Sequence, residues 1–234
     1  MARAARAVLP VIVVDDGSTD ETSAALAAEE GLVLVTLSRN RGKGAALRAG
    51  FGKAAELGFT HAITLDADGQ HAAGALGDFA LASRRRPEGV IVGVRDLEAA
   101  GAPASRRASN ALSALWFRFE TGLRLPDTQC GYRCYPLAAT RALRVAAEGY
   151  AYELEVLVKA AWAGIPLEPL PVAVDYAAPT SRLSHFDPWR DLARVSWTHA
   201  RLALAALCLP ASLRRRQALA GQRARAGGPD AIVG

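Results

Sequence analysis

The sequence predicts an α/β fold, a mostly parallel central sheet with helices on both faces. Three observations carry that reading. Short β-branched apolar runs alternate with helical segments through the first part of the chain. These runs are continuously apolar, not alternating, as strands are when a sheet is covered on both sides. A polar cluster directly follows each of the first three runs, where open α/β sheets bind their ligands.

The elements follow in order. Residues 11–14 are apolar and end at the turn Asp15-Asp16-Gly17-Ser18. A helix is expected over 19–30, with Asp20 and Glu21 suited to its positive N-terminal end. Residues 32–37 form the next strand, 44–57 a helix, and 62–65 a strand closing at Asp66-Ala67-Asp68. A helix over 73–85 and a strand over 89–94 complete the regular part. Beyond Arg95 the pattern loosens into a helix at 105–121, a short polar strand region at 127–135 and a helix at 152–163. Residues 167–176 read as an edge strand, because Pro169 and Pro171 would each remove a ladder donor. Helical spacing returns over 188–209. The expected organisation is a catalytic domain over 1–187, an amphipathic helix over 188–212 and a basic, disordered tail over 213–234.

Composition narrows the class. The chain has 234 residues, 51% of them hydrophobic, enough for one sizeable core. Its net charge is +5, with excess basicity late in the chain at Arg214, Arg215, Arg216, Arg223 and Arg225. Such a run is either a solvated tail or a polybasic segment held near anionic headgroups. Nucleic acid is not the expected partner, since no aromatic-and-basic stacking platform accompanies the run. Cys130, Cys134 and Cys208 match neither a disulfide framework nor a zinc pattern, so a reducing, cytoplasmic setting is expected. No apolar core of a secretory leader follows Met1, and no run is long enough to span a membrane. Residues 188–209 interleave aromatic, aliphatic and basic side chains. They suit either an in-plane amphipathic helix or a helix packed on the core. Peripheral attachment to the inner face of the cell membrane is the expected location.

Three clusters could carry chemistry. Asp66 and Asp68, two residues apart at a strand end, can face one divalent cation. Hard oxygen ligands suit Mg²⁺ or Mn²⁺, which would neutralise a diphosphate leaving group. The plain alternative is two solvated turn aspartates; two further polar strand ends favour the metal. A carboxylate in Asp15-Asp16 can accept from a nucleobase imide or a ribose hydroxyl, Gly17 letting backbone come close, while Ser18 or Thr19 caps a helix. The run from Arg39 to Gly44, Arg-Asn-Arg-Gly-Lys-Gly, lacks Walker spacing but is basic and enters a helix, which favours anions.

Together these motifs resemble family 2 glycosyltransferases. Val-Val-Asp-Asp-Gly-Ser-Thr-Asp, Asn-Arg-Gly-Lys-Gly-Ala-Ala and Leu-Asp-Ala-Asp-Gly-Gln-His occur in that family in this order. Asp127-Thr128-Gln129-Cys130-Gly131-Tyr132-Arg133 is similar to a segment of its polyprenyl-phosphate sugar synthase branch. So are Tyr152-Glu153-Leu154-Glu155 and the block from Ser184-His185-Phe186 to Trp189-Arg190-Asp191. The resemblance implies a GT-A nucleotide-diphospho-sugar transferase fold, a UDP- or GDP-linked sugar donor and a lipid or polyprenyl-phosphate acceptor. Carried onto this chain, Asp15, Asp16, Lys43, Asp66, Ala67, Arg95 and Arg182 would bind the nucleotide sugar. Asp66, Asp68 and Gln70 would surround Mg²⁺ or Mn²⁺. Asp127 and Arg133 would be catalytic on the acceptor side. Asp127 is the candidate base for a hydroxyl acceptor; its alternatives are a pair with Arg133 or a turn cap. An already ionised lipid phosphate needs no strong base.

Two competing classes use the same residues. A haloacid dehalogenase-type phosphatase would use the strand-end Asp66-Ala67-Asp68-Gly69 as nucleophile, but that class places it on the first strand. A non-catalytic nucleotide- or membrane-binding homologue is the other. The family normally opens with an apolar strand ending in Pro-x-Tyr-Asn, and residues 1–10 look instead like the tail of the helix after it. Loss of that interior strand would expose neighbouring ladder groups.

Overall fold

The computed structural model describes residues 2–29, 31–66, 73–174 and 188–214. Strand β1 (Ile12–Asp15) pairs in parallel with β2 (Val33–Thr36), Ile12 opposite Val33. A second sheet holds β3 (His61–Thr64), β4 (Val90–Arg95), β5 (Arg133–Pro136) and β6 (Leu167–Val172) in the order β3-β5-β4-β6. In it β3, β4 and β6 share one direction, and β5 runs antiparallel to both neighbours. Pro169 and Pro171 lie on β6, which is an edge strand as the missing donors require.

Helices cover both faces. Val90 and Val92 face one cluster with Phe51 and Ala54 of α3 (Lys43–Glu56), Phe117 of α5 (Ala104–Thr121), Val156 of α7 (Ala151–Ala163) and Leu202 of α8 (Pro188–Cys208). Ile91 points the other way, to Ala5 of α1 (Ala2–Arg6) and Leu76 and Phe79 of α4 (Leu76–Arg85). This alternation is the period-2 geometry of a strand buried on both faces.

Several details depart from the sequence reading. The helix expected over 19–30 is α2 (Thr22–Ala27), because Asp20 accepts from the Thr22 N–H at 3.0 Å and delays its start. A short α6 (Leu137–Ala142) has no readable periodicity. The central sheet is divided: among the described residues no strand bridges β1 and β3, although α3 packs against both. Their apolar residues are accordingly half-buried, whereas β4 is buried along most of its length.

Buried charges tie the helical layer together. Glu155 is fully buried; it is ion-paired with Lys159 at 2.9 Å and Arg201 at 2.8 Å, and accepts from the Ala146 and Ala147 N–H groups. Burial pushes its pKa up, but these partners outweigh burial and hold it below the ordinary value. Glu120 is just as buried, with His199 Nδ1 at 2.8 Å from its Oε1. For Glu120 burial wins over His199, and its carboxyl sits above the ordinary range. A carboxyl raised on folding stabilises below its unfolded value of about 4.3 and loses that contribution as pH rises through its folded value. Glu120→Gln is therefore expected to melt about 2–4 °C above the parent at pH 8. The difference should close as pH falls toward 4; an equal or lower melting temperature at pH 8 would mean that the His199 contact outweighs burial.

Candidate active site

The carboxyl ends of β1 and β3 and the loops beside them assemble one polar region. Asp15 is buried, accepting from the Ser18 N–H at 3.0 Å and from the Ser23 hydroxyl. The Ser18 and Ser23 bonds hold its pKa below the ordinary range. Asp15 thus shapes the turn, which leaves it no oxygen turned to a ligand. Asp16 accepts from the Arg41 N–H at 2.8 Å and the Gly42 N–H at 2.7 Å, clamping the basic loop to the end of β1. Gly17 has φ +75°, and a Cβ there would lie 2.3 Å from the Arg39 carbonyl carbon. The backbone that Gly17 admits is that of the basic loop. Arg39 and Arg41 remain exposed at its rim.

Lys43 opens α3 at the centre of the region. Its ammonium lies 2.7 Å from Asp66 Oδ1 and 2.7 Å from Glu153 Oε2, and 5.7 Å from the Tyr150 ring centre. Burial would lower its pKa, but Glu153 and Asp66 outweigh burial and raise it. Lys43 is therefore a permanent cation, and Asp66, about one-third exposed, is the partner turned toward solvent. Gly131 forms the wall behind them: a Cβ there would lie 2.5 Å from Asp66 Oδ2 and 2.8 Å from Lys43 Nζ.

The expected catalytic pair lies beneath this surface. Asp127 is 1% exposed and binds Arg95, not Arg133: Arg95 Nε is 2.7 Å from its Oδ2 and Nη2 is 3.0 Å from its Oδ1. It also caps the turn, accepting from the Gln129 N–H at 3.0 Å and the Cys130 N–H at 3.1 Å. Arg133, likewise 1% exposed, donates to the carbonyls of Cys130, Thr128 and Glu153 and to the Tyr135 hydroxyl. Burial would lower its pKa; the influence of Tyr135 and Glu153 raises it. Asp127, Arg133 and Arg95 thus build the floor of the site, because buried charges must be fully paired. Burial also pushes the Cys130 and Cys134 thiols up to about 11, so both are inert packing groups.

Beside this floor, at the carboxyl ends of β4 and β6, an open cleft of about 650 Å³ is lined by Arg95, Asp96, Arg107 and Asn110 among others. Ala67, Asp68, Gln70 and Arg182 lie outside the described residues, as do Ser184, His185 and Phe186. Among the described residues no group of three or more potential metal ligands gathers. Asp66 does fit a hard divalent cation: it offers partly exposed carboxylate oxygens, already matched to a positive charge, at a strand end. Glu153 and Gly131 are absent from the site that the sequence predicts. Their trace in the sequence is slight: one of two carboxylates on a mostly apolar helix, and a glycine ahead of a buried arginine.

Comparison with solved structures gives the class. Glucosyl-3-phosphoglycerate synthase of Mycobacterium tuberculosis, crystallised with Mn²⁺, UDP and phosphoglyceric acid, aligns over 89% of this chain and 75% of its own, with TM-score 0.59 and 17% identity. Its complex with Mg²⁺ and UDP aligns over 85% and 68%, with TM-score 0.57 and 19% identity. This likeness is one of fold, and the fold is GT-A. The family model Glycosyl transferase family 2 matches residues 4–143, and the chain belongs to that family. Among curated proteins it is 30% identical to an undecaprenyl-phosphate mannosyltransferase of Micrococcus luteus, over 69% of this chain and 70% of that one. It is 28% identical to a polyprenol monophosphomannose synthase of Mycolicibacterium smegmatis, over 69% and 65%.

The clamp between the two loops has a direct test. Gly17→Ala adds a side chain against rigid backbone in a left-handed conformation. A stability loss of about 2 kcal/mol or more is expected in urea unfolding. A loss under about 0.5 kcal/mol would show that the loops separate freely.

Proposed function

We propose that this chain transfers a hexosyl group from a UDP- or GDP-linked donor to a polyprenyl-phosphate acceptor at a membrane surface, with Mg²⁺ or Mn²⁺ and with inversion. The observation that carries the reading is the Lys43–Asp66–Glu153 cluster over Gly131, beside the Asp16-clamped basic loop. It supports a donor site in which Asp66, with Asp68 and Gln70, would hold the metal. When bound, the metal would offset charge building on the departing diphosphate.

The remaining work belongs to this chain's residues. Lys43, oriented by Glu153, presents a fixed positive charge to the diphosphate. The exposed Arg39 and Arg41 extend that field outward and draw in anions. An acceptor phosphate oxygen forms the new bond to the anomeric carbon as the bond to the diphosphate oxygen breaks. No proton moves, since both groups are ionised at neutral pH. Asp127, with both oxygens engaged by Arg95 and backbone N–H groups, is poorly placed as a base, which favours a phosphate over a hydroxyl acceptor. Among the described residues no helix is long and apolar enough to cross a membrane.

Thermal shift with UDP and GDP, each with Mn²⁺ and with chelator, tests the donor site. A nucleotide at a hundred times its dissociation constant adds about 2.7 kcal/mol, raising the melting temperature by roughly 5–10 °C. The rise should require metal and vanish in Asp68→Ala. Gly131→Ala should keep the parent's unliganded stability within about 1 kcal/mol, since its clash is with the flexible ends of Asp66 and Lys43, yet lose the shift. Absence of any shift with every nucleotide would leave a non-catalytic homologue.

A further inference from the structure

We infer that the outer faces of α5 and α8 form one surface that lies on an anionic lipid bilayer. Its purpose, though not its evidence, rests on the lipid-linked acceptor proposed above. Helix α8 has two faces. Its inner side buries Asp191, Thr198, His199, Leu202 and Ala203. Its outer side is apolar as well: Trp197 is 69% exposed, Leu204 62% and Leu207 70%, with Ala200 between them at helical spacing. A helix covered on one side by protein normally turns polar groups outward.

Helix α5 repeats the arrangement. It buries Asn110, Ser113, Phe117 and Glu120, while Leu115 and Phe119 stand 62% and 51% exposed, with Leu112 beside them. The two helices pack on each other through the His199–Glu120 contact. Trp116 sits at that seam, its ring 5.9 Å from His199 and 6.0 Å from Phe119. Exposed apolar side chains therefore continue from one helix to the other, and a patch of this extent marks an interaction surface.

Charge selects the occupant. The only acidic residues of the two helices, Glu120 and Asp191, are buried. The exposed flanks carry Arg118 and Arg194, while Arg201, partly exposed, is paired with Glu155. Aromatic and aliphatic groups bordered by arginine, without exposed carboxylates, match the headgroup zone of an anionic bilayer. A second copy on the same face would set arginine against arginine. The surface also adjoins the site: Asp191 Oδ1 and Arg194 Nη1 each lie 3.6 Å from the position of a Cβ on Gly149, whose neighbour Tyr150 lies by Lys43.

Flotation with vesicles of phosphatidylcholine, with and without phosphatidylglycerol, tests this on the full chain. The parent is expected to float with the phosphatidylglycerol vesicles and to be released by salt. Trp197→Ser combined with Leu204→Ser should lower the bound fraction at least tenfold. Leu115→Ser combined with Phe119→Ser should do the same and lies far in sequence from the basic tail. Both variants change exposed residues, so circular dichroism and the metal-dependent nucleotide shift should match the parent's. That shift separates a failed membrane surface from a failed donor site. No flotation of the parent, flotation that survives both variants, or a dimer in light scattering that the serine variants dissolve would each overturn the inference.

Discussion

Burying the Arg133 guanidinium is the constraint around which the site is built. A charge at 1% exposure is tolerated only when each of its nitrogens finds an acceptor. Arg133 meets that demand with carbonyls from its own loop and from Glu153 on α7. The loop over 127–133 is thereby fixed against α7, and Gly131 within it stands where Asp66 and Lys43 meet. Asp127 secures the start of the same loop through Arg95 at the end of β4. Arg95 and Asp127 lie far from Asp66 in sequence, yet through this floor they set the height of the surface on which Asp66 rests.

A second layer of charge is left incompletely buried. Lys43 is shared by Glu153, which is buried, and Asp66, which is not. The asymmetry gives the two carboxylates different roles. Glu153 keeps the ammonium in place, while Asp66 can exchange it for another cation without leaving a buried charge alone. Removal of Glu153 would thus misplace Lys43, whereas removal of Asp66 would change what the site binds.

The regular first half was legible because its strands are short, β-branched and continuously apolar, and because each ends at charge. Residues 11–14, 62–65 and 89–94 fall within one residue of β1, β3 and β4. What escaped were pairings between distant residues. The sequence offered Arg133 as a partner for Asp127, but Arg95 holds it across 32 positions, a choice made by the register of β4 against β5. Asp15 and Asp16 read as equivalent acids; their opposite orientations at a strand end send one to Ser18 and Ser23 and the other to the basic loop. The two-faced character of α8 was half-visible in its composition. That α5 shares the exposed face depends on their packing, which no local pattern encodes.

The distribution of charge also bears on the chemistry. Sugar transfer between two phosphates develops negative charge on the leaving side and consumes it on the attacking side, so the site has to balance anions rather than move protons. The residues around the strand ends are suited to balancing anions. Lys43, Arg39 and Arg41 supply positive charge, and the acids Asp15, Asp16 and Asp127 are all engaged by backbone N–H groups. None of these acids is both accessible and unoccupied. An acceptor that is already ionised needs no such acid. For the proposed reaction, an anionic lipid acceptor would approach where α8 begins, between the basic rim of Arg39 and Arg41 and the apolar helical face.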